Sequence, residues 1–123
     1  MDRSVAPPGW PSEVRPPDAP DWERTAVAWL LDLCPPDYRQ YDVLRAHPVV
    51  LARFAVHHVE AALAASRRGL ATVRADLRDV AGPETVAAAI AALEREGARL
   101  LGTARAVALV EEALRGRRFR PRL

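Results

Sequence analysis

Lysine and asparagine are both missing from this 123-residue chain, and cysteine occurs once. The codons of lysine and asparagine are AT-rich, so their joint absence points to a GC-rich bacterial genome. All 18 basic residues are therefore arginine, partly as a codon habit, which discounts arginine content as a functional signal. A lone cysteine, Cys34, excludes an intramolecular disulfide and a thiolate-based zinc site. No stretch approaches 18 uninterrupted apolar residues, and the start "MDRSVAPPGW" has no apolar signal core. The expectation is a soluble cytoplasmic protein without a membrane segment. Aromatics make up 6% of the chain although hydrophobic residues make up 50%. Alanine, leucine and valine supply the difference, a composition that favours helices.

Chemistry-bearing patterns are also scarce. There is no Gly-rich phosphate loop and no nucleophile–base–orienter set, so no catalytic or cofactor-binding residue is assigned and a non-enzymatic protein is expected. The adjacent His57 and His58, with Glu60 following, are the one arrangement that invites a metal reading. A metal site in a helical bundle needs ligands converging from facing helices, commonly through Glu-x-x-His motifs. The order here is reversed and there is one copy. These residues read as an outer helix face, with His57 or His58 placed to bond Asp32 or a tryptophan indole. Cys34, beside Pro35 at an apolar helix end, reads as a packed thiol.

What is present divides the chain in three. Residues 1–20 hold most of the prolines and read as an extended, polyproline-like arm, with Trp10 pinning it to the body. Residues 21–115 read as a helical domain. Asp21 is the expected N-cap of a short helix over 21–34, apolar around nearly its full circumference, and a second short helix is expected over 37–46 with Tyr38, Tyr41 and Leu44 on one stripe. Long helices over 48–79 and 83–115 follow, each opened by proline and parted by "AGPE". Residues 116–123 are a basic tail.

The two long helices carry apolar seams at 3-4 spacing. One runs Val49, Ala52, Val56, Val59, Leu63, Ser66, Leu70, Val73, Leu77, Val80; the other runs Val86, Ile90, Leu93, Gly97, Leu100, Ala104, Val107, Glu111, Leu114. Folding back at Ala81-Gly82 sets each a position against a d position, as an antiparallel pair requires. Ser66 then faces Gly97, and Ala52 faces Glu111, whose expected partner is Arg115. Arg67 and Glu94 are a candidate interhelical pair. Apolar residues off the seam (Val50, Leu51, Phe54, Leu101, Leu109, Val110) are the expected docking surface for the 21–34 helix. The fold class is therefore all-α: a long antiparallel, coiled-coil-like hairpin with short helices at its base.

Two functions fit this outline. The first is a helical interaction or scaffold protein, a homodimer or higher oligomer, with Trp10, Trp22, Trp29 and Phe54 as partner-binding candidates. The second is a nucleic-acid-associated protein. Arg115, Arg117, Arg118, Arg120 and Arg122 lie in "RGRRFRPRL" without an acid, and such a cluster can bind phosphates with Phe119 available to stack. Residues 1–114 carry 13 arginines against 16 acids, so the body is mildly acidic beneath a basic tail.

Overall fold

A computed structural model describes residues 5–116. Among them the elements are α1 (Trp22–Leu33), a 3-10 helix (Pro36–Gln40), α2 (Asp42–Ala46), α3 (Pro48–Leu77) and α4 (Pro83–Leu114), with no strand. The long pair α3 and α4 forms an antiparallel hairpin, and α1, the 3-10 helix and α2 pack at its base.

The seam register is visible at its small layer. A Cβ built on Gly97 would lie 3.7 Å from Ser66 Oγ, and one on Gly69 would lie 3.4 Å from Leu93. Close helix approach there lets the Ser66 hydroxyl donate to the Leu93 carbonyl across the hairpin at 3.2 Å. Burial along the seam is uneven. Ala52, Val59, Val107 and Leu100 are buried near the base. Leu70 keeps 36% of its surface, and Val80, beyond the end of α3, is exposed. The helix stops at Leu77 in a turn closed by Ala81 N–H on the Leu77 carbonyl, so Val80 contributes nothing to the seam.

At the base a third layer closes the core. Ala26, Leu30 and Leu31 of α1 are buried with Leu44 of α2, Leu51 and Ala55 of α3, and Val107 and Val110 of α4. The apolar circumference of α1 is thereby covered on more than one side. The second short helix is two pieces broken at Tyr41, whose backbone is extended; this leaves Leu44 buried and Tyr41 47% exposed instead of on one stripe.

The proline-rich segment is not extended. Residues 5–21 fold into consecutive turns closed by Trp10 N–H on Pro7 O, Val14 on Pro11, Ala19 on Pro16 and Trp22 on Ala19, at 3.0–3.2 Å. Three of these share one physical cause. Pro8, Pro17 and Pro20 stand at the second position, and Gly9 (φ 88°), Asp18 (φ 70°) and Asp21 (φ 60°) stand at the third. Proline presets the first central φ of a type II turn, and the next residue must take positive φ, which glycine and aspartate tolerate. Asp21, so placed, makes no side-chain cap; its carboxylate instead approaches Arg24 at 3.7 Å. Thr25 ties the segment to α1, donating to Trp22 O at 2.7 Å and accepting from Arg15 N–H at 3.0 Å.

Candidate interaction surface

The three tryptophans serve the arm. Trp10 donates its indole N–H to Val14 O at 2.9 Å, and its ring lies 6.2 Å from that of Trp22. Trp29 lines a shallow cleft with Pro11, Glu13, Leu33, Gly102 and Ala106, where the arm crosses α1 and α4. All three are half-buried and pack on the core. Their apolar surface is thus largely engaged within the chain. Leu109 also belongs to this junction: it abuts Gly9, where an added Cβ would sit 3.5 Å away.

Phe54 stands apart. It is 41% exposed and meets Tyr38 edge-on at 5.8 Å; Tyr38 also touches the rings of Tyr41 at 6.4 Å and His58 at 6.3 Å. The 3-10 helix, not α1, therefore covers Phe54. His58 turns to Tyr38 rather than to Asp32, which Arg39 takes at 2.7 Å. Among the described residues no indole donates to it; the Trp10 indole bonds Val14 O. His57 is exposed. Among the described residues no three His, Cys, Asp or Glu converge to hold a metal ion. The aromatic cluster around Tyr38 was not anticipated from sequence, although the Tyr38–Tyr41 spacing was its available signal.

Among the described residues Glu111 is the one buried acid, and its main partner is Arg53, whose Nη1 donates to both carboxylate oxygens at 2.9 and 3.1 Å. Arg115 adds a bond at 3.3 Å. Two guanidinium groups satisfy a carboxylate that burial would otherwise penalise. Arg53 follows the seam residue Ala52 by one, and no local sequence pattern singles it out as the partner of Glu111. Arg67 and Glu94 form no ion pair. Glu96 pairs with Arg99 on its own helix, and that hydrogen bond holds its carboxyl below the usual range. Both groups are exposed, so the pair adds little to stability. Arg117, Arg118, Arg120 and Arg122 lie outside the described residues; Arg115 is exposed at the end of α4.

Cys34 caps α1 through its N–H on Leu31 O at 3.2 Å, and burial raises its thiol pKa. A thiol that stays protonated at neutral pH is a poor nucleophile. Maleimide labelling of the folded protein is therefore expected to be far slower than labelling in denaturant. Equal rates would show that Cys34 is accessible.

The hairpin has two flanks. One, carrying Ala55, Ala62, Thr103, Ala106 and Val110, is buried or half-buried, and α1 and its neighbours lie on it near the base. The other, carrying Glu60, Ala64, Arg67 and Ala71 of α3 with Ala91, Glu94, Ala98, Leu101, Arg105 and Ala108 of α4, is exposed from base to tip. Leu101 therefore does not help dock α1: it lies on the open flank, 39% exposed. By length and composition α3 is apolar enough to cross a membrane, and 33% of its apolar window is buried inside the fold. No protein-family model, curated protein or solved structure matches the chain.

Proposed function

We propose that this chain is a non-enzymatic helical interaction protein that self-associates, acting in the bacterial cytoplasm as a scaffold or adaptor. The observation carrying this reading is the projecting half of the hairpin. There Leu70, Leu77, Val86, Ile90 and Leu93 remain half-buried or exposed, although Ser66 and Val73 are buried, because two helices enclose only part of their own seam. A ribbon of two helices buries apolar surface fully only when a further layer lies on it.

Light scattering at tens of micromolar is expected to give the mass of a dimer or a higher oligomer; a monomeric mass refutes self-association. A pull-down from native cytoplasm would then identify other partners. Micromolar binding of duplex or single-stranded nucleic acid near 150 mM salt, lost on removing residues 116–123, would favour the arginine-tail function instead, because isolated arginines are strongly screened at that salt.

A further inference from the structure

Resting on the self-association reading, we infer which face carries it and in what orientation: the open flank of α3 and α4 packs on the same flank of a second copy. The two-fold axis runs parallel to the hairpin, the tips lie together, and α3 of each copy lies over α4 of the other.

The charges on this flank support that arrangement. Among the described residues Glu60, Arg67, Arg78, Glu84, Glu94 and Arg105 form no ion pair. The Ser66–Gly97 layer sets the level of one helix against the other, and each step up α3 is a step down α4. Glu60 then stands within two residues, about 3 Å at ~1.5 Å per residue, of the level of Arg105, as does Arg67 of Glu94, and Arg78 lies within one residue of Glu84. When α3 lies over the α4 of a second copy, each of these charges comes near its opposite and two-fold symmetry repeats every pair, while Arg74, seven residues beyond Arg67 on the same flank, faces alanines. Between the pairs Ala64 comes level with Ala98, and Ala71 with Ala91, all exposed in one chain. Leu101 and Leu70, both partly exposed on one copy, gain cover beneath the second.

The dimensions also fit. A 30-residue α3 is roughly 45 Å long at ~1.5 Å per residue. Two helices set about 8–10 Å apart present a strip some two helix diameters wide. Such a strip offers an area of the order of the roughly 800 Å² per partner that stable protein interfaces bury. The product is a four-helix bundle in which every neighbouring pair of helices is antiparallel. α1, the aromatic cluster and the arm remain on its outside.

Two measurements test the orientation. Ala64→Cys and Ala98→Cys are separate surface variants, with buried Cys34 retained as an unreactive background. Mixed and oxidised, they are expected to give a disulfide-linked heterodimer, while each alone gives little. A tip-to-base stack centred on this flank links Ala64→Cys to itself and overturns the orientation. Arg67→Glu reverses two symmetry-related contacts and is expected to weaken the dimer about tenfold by sedimentation, given ~0.2–1 kcal/mol for each exposed pair and reversal of its sign. Arg67→Glu combined with Glu94→Arg is expected to restore it. A dimer that shows no 64–98 link, or that ignores Arg67→Glu while keeping its helicity, overturns the inferred face and leaves self-association standing. A monomer overturns both.

Discussion

Leu51→Ala is expected to cost about 2–5 kcal/mol, the range for emptying a leucine site in a rigid core. Leu51 is fully buried where α1, α2, α3 and α4 meet, beside Leu30, Leu44, Val107 and Val110, which are equally inaccessible. Elements converging from several directions cannot all relax toward the vacancy, so most of the cavity persists. Leu70→Ala removes the same atoms from a position that already keeps 36% of its surface. In the single chain its cost should fall well below that of Leu51→Ala, because solvent already reaches the site. His57→Ala, on the outside of α3, should stay within about 0.5 kcal/mol of the parent. Urea denaturation of the three variants gives the ordering. A Leu70→Ala penalty equal to that of Leu51→Ala would mean that the projecting hairpin is covered in solution, as the proposed dimer requires. The comparison should therefore be made at concentrations below and above dimerisation.

Trp10→Ala is the second large effect expected, at roughly 2–4 kcal/mol, somewhat below the ~3–5 kcal/mol of a fully buried tryptophan because Trp10 is half-buried. The indole contributes packing on Trp22 and the N–H bond to Val14 O. Its removal also loosens the turn that holds Val14, a buried core residue, in place. Trp10→Phe keeps much of the packing and loses the bond, so the difference between the two variants reports the hydrogen bond, typically near 1 kcal/mol. Thermal unfolding followed by tryptophan fluorescence measures both. A Trp10→Ala protein with the parental midpoint would show that the arm adds nothing to the fold.

The hairpin was legible because its evidence is periodic and redundant. Two seams with one spacing, parted by Gly82-Pro83, leave few ways to pair, and the Ser66–Gly97 layer follows from that pairing. The arm was misread because proline content was weighed as composition instead of position. Pro8-Gly9, Pro17-Asp18 and Pro20-Asp21 are turn dipeptides, and the aspartates tolerate the positive φ that the turns require. Asp21 does hold the N-cap position of α1, its carbonyl accepting from Thr25 N–H, but the preceding proline sets it in a turn at positive φ and its side chain makes no cap bond. Arg53 was hidden because pairing with Glu111 depends on a separation of 58 residues, which no local pattern encodes. The Tyr38 cluster depends on a break at Tyr41 that sends a short segment across α3. Phe54 was rightly placed off the seam, but its cover could not be chosen among the elements at the base.

The hairpin brings its cheapest contacts and its best-buried ones to opposite ends. Around the turn between Leu77 and Pro83, closing the chain restricts only a few residues, so those contacts form at small entropic cost. At the base, Arg53 meets Glu111 only after a far longer loop is closed, yet there the core is three layers deep. The end that can assemble earliest is thus the end with least to hold it once formed, and the end that assembles late locks the rest. Such a molecule breathes from its tip while its base stays shut. Pairing along the open flank would remove that freedom, so the oligomer would differ from the single chain in stiffness as well as in size.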